Sequence, residues 1–375
     1  MSEKHLHIVS FDIPYPPNYG GVIDVFYKIR ALYNAGVKVH LHCFEYHRKP
    51  ADSLKNYCEE VLYYPRKNNL LSAMTHLPYI VFSRRNKDLL KNLLKDTYPI
   101  LFEGLHSCYY LDHPALKNRI RVYRESNIEH DYYFHLSKAE RNLFRKMYFY
   151  FSGIKLRAFQ NVLRHATLML TVSKQDNEYL RARFQGKQIE YLPSFHHDDE
   201  IRSKPGKGNF ILYQGNLSVG ENRKAAEYLA EKVAGKTNFP FIVAGMNPPD
   251  SLKKFLAAFP NITLIENPSE ARMFSLIQEA QVNLMITFQS TGLKLKLLHA
   301  LFNGRHCLVN PNMIHGTELG PLCETANSAR ELQEKLTELM NIEFAPEMTG
   351  KRKNLLLKMH SNTENCKRLV DFVYL

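Results

Sequence analysis

Two lysines stand where a helix should repel them. The stretch TGLKLKLLHALFNGRHCLV, Thr291 to Val309, follows the apolar run Val282 to Phe288 and is preceded by Ser290. Leucines at 293, 297 and 301 fall on one face, and Gly304 suits the left-handed end of a helix. Lys294 and Lys296 therefore lie in the first turn, where a cation opposes the macrodipole by roughly 0.3–1 kcal/mol. An anion at the loop Ser290–Thr291–Gly292 would reverse that sign. The penalty is also small enough for ordinary surface lysines, so this stretch alone leaves both readings open. Two further loops lead into helices with glycines at the junction: Gly20–Gly21 in DIPYPPNYGG, and Gly215–Asn216 in QGNLSVGEN. Missing side chains there let a phosphate approach the backbone N–H groups. Other polar residues follow apolar runs: Ser10 and Asp12, then Glu103 and His106, then Arg124, Asn127 and Glu129. A lone histidine is more often structural, yet His106 lies just past a strand in a glycine-containing loop, where hydrogen bonding or proton transfer at a reacting group is the other reading. No G-x-S-x-G, C-x-x-C or zinc-spaced histidine pair occurs, so neither an acyl-enzyme nucleophile nor a metal site is expected.

Such residues need a scaffold that gathers loops on one edge. The order of apolar runs supplies it. Leu6–Phe11, a helix from about Val22 to Ala35 closed by Gly36, and Lys38–Tyr46 form a βαβ unit, whose right-handed crossover makes the strands parallel. VLYYP, Pro99–Gly104, Arg121–Ser126 and Ala166–Ser173 continue the series, apolar on both faces as interior parallel strands are. After the polar stretch Phe195–Asn209 the alternation restarts with Phe210–Asn216, Phe239–Gly245, ITLIENP, VNLMITF and HCLVN. The expectation is an α/β chain of two Rossmann-like domains facing across a cleft, with residues 1–195, a linker 196–209, and 210–350. A terminal helix at 351–375 would pack back on the first domain. In open parallel sheets ligands gather at the carboxyl ends of strands, where every residue named above would lie.

The composition narrows the setting. The 375 residues are 45% apolar, enough for two ordinary cores, and no run of about 18 apolar residues suggests a transmembrane helix. The leader MSEKHLHIVSF lacks signal-peptide character, and six scattered cysteines read as reduced thiols, so a cytoplasmic protein is expected. A net charge of +13 calls for an anionic partner. No zinc finger, RNP motif or basic arm points to nucleic acid. Two basic, aromatic segments, Arg66–Lys95 and Lys138–Arg164, read as helices with a cationic face. Peripheral contact with the inner face of a membrane through Arg84, Arg85, Lys87, Arg141, Arg145 and Lys146 is one expectation, and a solvated helix face is the other.

Over essentially its whole length the chain resembles the GT-B glycosyltransferases of the retaining family 4 (group 1) kind. The resemblance is carried by PPNYGG, EGLH (Glu103–His106), ESNIEHDYY (Glu125–Tyr133), LTVSKQD, LPSF, QGNLSVGENRKAAEYL and GLKLKLLHALFNGRHCLVN. It implies a sugar moved from a nucleotide-diphosphate sugar to a glycan or lipid-linked acceptor, with no cofactor and no metal. His106 would be the catalytic-loop residue. Gly20, Gly21, Arg124 and Asn127 would form an acceptor or phosphate loop. Gly215, Asn216, Arg223, Lys224, Thr291, Gly292, Lys294 and His299 would hold the donor, with Arg223 and Lys224 standing in for a basic pair. The chain departs from the family at its E-x7-E pattern, where Thr291 and His299 occupy the glutamate positions. A catalytically inactive GT-B binding or scaffolding subunit is the alternative that this departure raises.

Overall fold

The computed structural model describes residues 3–67, 75–140, 142–288 and 295–374. Thr291, Gly292, Lys294 and Arg141 lie outside the described residues. The chain divides into two compact units, residues 1–196 with 360–375, and 197–359.

The first unit is built on seven parallel strands: β1 (His5–Ser10), β2 (Lys38–Glu45), β3 (Glu60–Pro65), β4 (Ile100–Glu103), β5 (Arg121–Glu125), β6 (Leu168–Thr171) and β7 (Gln188–Tyr191). Their order is β3-β2-β1-β4-β5-β6-β7. Sequence order reverses between β1 and β4, the place at which a parallel sheet opens a crevice for ligands. The register pairs Val9 with Phe102, Glu103 with Arg124 and Glu125 with Thr171, so the polar residues that follow these strands share one edge. Apolar side chains fill both faces of the sheet. The helix Gly20–Asn34 and the last helix, Asn362–Tyr374, cover one face with Val25, Ile29, Leu32, Cys366, Leu369 and Val373. Gly36, at φ +75°, ends the first helix in the left-handed region that its position requires.

In the second unit six strands run in the order β10-β9-β8-β11-β12-β13, again with every pair parallel. They are β8 (Ile211–Asn216), β9 (Phe241–Met246), β10 (Ile262–Glu266), β11 (Val282–Met285), β12 (His306–Val309) and β13 (Glu324–Thr325). The helix Leu295–Asn303 buries Leu297, Leu298, Leu301 and Phe302, the face that the leucine spacing predicts. At β9, a Cβ on Gly245 would stand 1.9 Å from the carbonyl oxygen of Gly215, so the strand ends approach closely because residue 245 has no side chain.

Several local expectations are corrected. The basic segment from Arg66 is no continuous helix. Among its described residues it holds the short helices Tyr79–Phe82 and Lys87–Leu93, and Arg84 is buried between them and cannot reach a membrane. The described residues of the second basic segment fall in separate helices, Glu129–Ala139 and Leu143–Phe159. The helix Pro346–His360 stays with the second unit up to Met359, where Arg352 donates to the carbonyl of Gly304 and Leu356 joins the core; the return to the first unit starts at His360.

Candidate functional site

In the first unit the strand ends are held by a charged network with almost no exposure. Lys28 Nζ donates to Asp24 Oδ2 at 2.9 Å and to Glu103 Oε1 at 2.6 Å. Arg124 Nη2 donates to Asp24 Oδ1 at 3.2 Å and to the carbonyl of Pro193, and its Nη1 donates to the carbonyl of Leu192. Asp24 Oδ1 also accepts from the N–H of Phe195 at 2.7 Å. Burial works to raise the pKa of Asp24, but Arg124 and then Lys28 overcome it and hold the carboxyl at about 2. Burial pushes Glu103 upward against the pull of Lys28. Two cations against two carboxylates leave the network neutral. Arg124 is thus a buried tie between β5 and the segment 192–195. The residue expected in an acceptor or phosphate loop lies on β5 with its side chain buried.

Above this network lie His106 and its surroundings. Gly104, at φ +68° and ψ 160°, turns the chain after β4 and allows His106 to sit beside the Phe11 ring, centroids 5.6 Å apart. A Cβ at Gly104 would meet His106 Nδ1 at 3.2 Å. His106 Nε2 stands 3.7 Å from Glu129 Oε2, and Nδ1 is buried with no partner among the described residues. Burial, then Arg84, then Arg66 press the imidazole well below its ordinary pKa, so it is neutral near pH 7. Burial pushes Glu129 up to about 8, which keeps it a carboxylic acid there. Arg84 donates to the carbonyls of Phe11 and Ile80, and Arg66 to Ser83 Oγ at 2.8 Å. Neither guanidinium forms an ion pair among the described residues. A neutral imidazole, a neutral carboxylic acid and two guanidinium groups, both drawn to the Asp12 carboxylate, share one end of the sheet, a setting that can exchange a proton.

Gly20 opens the first helix, and at Gly21 a Cβ would collide with the Phe11 ring at 2.6 Å, so packing accounts for that glycine. Asp12 ties the neighbouring loop, accepting from the N–H of Ile13 and from the Tyr19 hydroxyl, both at 2.8 Å. The N–H of Asn127 donates to Glu125 Oε1 at 3.1 Å, which caps the loop after β5.

In the second unit Gly215 and Asn216 end β8, and Thr287 follows β11. Asn216 makes a tight polar turn, its Oδ1 accepting from the N–H and hydroxyl of Ser218 at 3.1 and 2.7 Å. That turn delivers the chain into the helix Gly220–Lys232. Asn222 Nδ2 donates to the carbonyl of Asn216 at 3.0 Å, and Lys296 Nζ donates to Asn222 Oδ1 at 3.4 Å while standing 5.6 Å above the Tyr213 ring. Lys224 lies over Phe288 at 4.7 Å. Thr287, past β11, donates to Glu221 and is clamped to Asn310, whose Nδ2 donates to the Thr287 carbonyl at 2.7 Å. Arg223 and Lys224 lie in the first turns of the 13-residue helix Gly220–Lys232, and Lys296 reaches the same helix start through Asn222. Fixed positive charge with backbone donors is what a diphosphate needs.

His299, one turn beyond Lys296, faces a second cluster. Its Nδ1 lies 3.0 Å from Asp198 Oδ2, which also meets His197 Nδ1 at 2.9 Å, while Asn303 Nδ2 donates to Asp198 Oδ1 at 2.7 Å. Burial works to raise the pKa of Asp198, but hydrogen bonds from His197 and His299 hold it below the usual carboxylate range. Burial lowers the pKa of His299 against the pull of Asp198. The network assigns the proton to Nδ1, pointing at Asp198, and leaves Nε2 as a hydrogen-bond acceptor. His197, Asp198 and His299 offer ligand atoms within 4.8 Å of one another, so a divalent cation could also be held here. The sequence reading missed Asp198 because FHHDDE looked like a linker. Its signal was two histidines beside two aspartates in an otherwise ordinary polar stretch.

Two parallel Rossmann-like units in one chain have counterparts throughout. Sucrose-phosphate synthase from Thermosynechococcus elongatus superposes with TM-score 0.70 at 15% identity, covering 99% of this chain and 98% of that one. HepE from Anabaena, in complex with UDP and glucose, gives 0.67 at 8% identity and 99% coverage of both. TarM from S. aureus, as a variant in complex with fondaparinux, alpha-GlcNAc-glycerol and UDP, gives 0.66 at 10% identity and 100% coverage of both. The fold is GT-B. At these identities the likeness to solved GT-B proteins is one of fold. No family model matches the chain. Among curated proteins, one described as an uncharacterized 44.6 kDa protein in the cps region of Klebsiella pneumoniae is 24% identical over 316 residues, 79% of this chain and 80% of its own length.

Proposed function

We propose that this GT-B protein is a glycosyltransferase that moves a sugar from a nucleotide-diphosphate sugar to a glycan or lipid-linked acceptor in polysaccharide biosynthesis. The observation that carries the reading is Lys296 donating to Asn222 in the first turn of the helix Gly220–Lys232, a turn that also carries Arg223 and Lys224. In the transfer, an acceptor hydroxyl oxygen bonds to the anomeric carbon and loses its proton to solvent, and the bond from that carbon to the diphosphate oxygen breaks with its electron pair. The leaving diphosphate gains charge, which the three cations and helix N–H groups stabilise without a metal. Asn216 and Gly215 line the same turn, with Thr291, Gly292 and Lys294 as further donor contacts. His299 Nε2 accepts from a sugar or ribose hydroxyl, an acceptor role that a carboxylate could otherwise fill. In the first unit His106 is the candidate catalytic-loop residue, and Arg66 and Arg84 favour an anionic group nearby. Gly20, Gly21 and Asn127 border that acceptor side.

UDP in the complexes of HepE and TarM makes uridine the first nucleotide to try, and a relative in a capsule polysaccharide region supports the acceptor class. Incubation of the purified chain with UDP-, GDP- and ADP-sugars should release nucleoside diphosphate slowly even without acceptor. Thr291 and His299, in place of two glutamates, favour a second reading, an inactive GT-B subunit that binds without turnover. Tight nucleotide binding with no release from any sugar nucleotide, in the presence of candidate acceptors, would select it.

A further inference from the structure

We infer that the helix Leu143–Phe159 is a membrane-docking surface that lies within the headgroup layer of an anionic bilayer. This rests on surface chemistry and stands whether or not the donor assignment holds. Seven of the sixteen large apolar residues that are exposed among the described residues sit on this helix: Leu143, Phe144, Met147, Tyr148, Tyr150, Phe151 and Ile154, with Phe144 84% exposed. At 3.6 residues per turn they occupy an arc of roughly 160°, shared only with Lys155 and Ala158. The opposite side is firmly seated. Gly153 and Leu156 are buried, a Cβ at Gly153 would meet the Phe134 ring at 2.7 Å, and Phe149 packs edge-on to Tyr133 with centroids 6.0 Å apart. The helix therefore turns its most apolar face outward, the reverse of a helix covering a core.

Charge decides what covers that face. The 17-residue helix carries Arg145, Lys146, Lys155 and Arg157 and no acidic residue. Arg145 meets Glu140 at 3.9 Å while remaining 72% exposed, and Lys155 donates to the carbonyl of Thr75 at 2.7 Å. Two copies of such a helix face to face would oppose four cations with four. An anionic lipid surface neutralises the basic margins while acyl chains receive Phe144, Phe151 and Ile154, and the tyrosine hydroxyls remain at headgroup level. No helix among the described residues is long and apolar enough to cross a membrane, so the contact is in-plane.

The chain contains no tryptophan, which makes Phe151→Trp a single fluorescent reporter. Full-length protein is floated with vesicles of phosphatidylcholine, alone or mixed with phosphatidylglycerol. Recovery with the anionic vesicles should exceed that with neutral ones about tenfold and fall as salt rises. The Phe151→Trp emission should shift to the blue on the anionic vesicles alone. Phe144→Glu with Phe151→Glu, both exposed and so harmless to folding by circular dichroism, should reduce recovery about tenfold. Equal recovery of that double variant, or equal recovery on neutral vesicles, overturns the proposal. So does a concentration-dependent dimer of the wild type that the double variant abolishes without any vesicle binding.

Discussion

Asp24→Ala tests whether the buried charge network builds the strand ends on which the first unit's site rests. Asp24 accepts from Phe195 N–H, Arg124 and Lys28, and all three charged partners, Lys28, Glu103 and Arg124, are within 2% of complete burial. Removing the carboxylate leaves two buried cations against Glu103 alone and strands the Phe195 N–H. Breaking a buried pair in this way costs about 3–5 kcal/mol. For a unit of this size each kcal/mol moves the Tm by about 2–4 °C, so its transition should fall by roughly 6–20 °C. Differential scanning calorimetry of the full chain reads this directly. Lys28→Met should be similarly costly, while Lys28→Met with Glu103→Leu, which removes one charge of each sign, should cost less than the sum. The pH dependence has a defined sign. Asp24 is depressed to about 2, so its contribution is present above the ordinary aspartate pKa of about 3.9 and is lost as pH falls toward 2. A Tm within about 2 °C of wild type for Asp24→Ala would show that the network is replaceable and would refute the reasoning.

Three further outcomes follow from the two sites. His106→Ala should fold normally and lose turnover by roughly 10²-fold; turnover within about twofold of wild type would remove it from the mechanism. Because Glu129 is raised to about 8, its protonated form persists below that pH and is lost above it, so a rate limb near pH 8 should disappear in Glu129→Gln, and a limb that survives would assign it elsewhere. Asp198→Asn should move the His299 proton away from Nδ1, a change visible in the imidazole ¹⁵N shifts, with weaker donor binding alongside; unchanged shifts would contradict the assigned tautomer.

The strands and their polarity were legible in the sequence because interior parallel strands are apolar on both faces, as in PILFE and ATLMLT. The helix end at Gly36 and the leucine face of Leu295–Asn303 were legible for the same local reason. Pairings across long stretches of chain were not. Asp198 and His299 lie 101 residues apart, and Arg124 and Asp24 lie 100 apart, so nothing in local spacing joins them. Arg84 illustrates the converse: SRRNK reads as surface, yet burial beside Phe11 turns that arginine inward. Phe144 and Phe151 mislead in the opposite direction, since an aromatic stripe usually marks a core and here faces outward. Thr291 and His299, set against the glutamates of the resembled family, were recognisable only by that comparison. The chemistry of His299 depends on Asp198, which local sequence could not supply.

The central claim, that the second unit holds a nucleoside diphosphate on cations and helix N–H groups, is met most directly by isothermal titration calorimetry. The full-length chain is titrated with UDP, GDP and ADP, in parallel with Lys296→Ala. One nucleotide should bind with a stoichiometry of one. Lys296→Ala should weaken that binding by about 1–3 kcal/mol, the scale of a charge-assisted hydrogen bond. Silence from folded protein across the whole panel, or an affinity that Lys296→Ala leaves unchanged, would contradict the account.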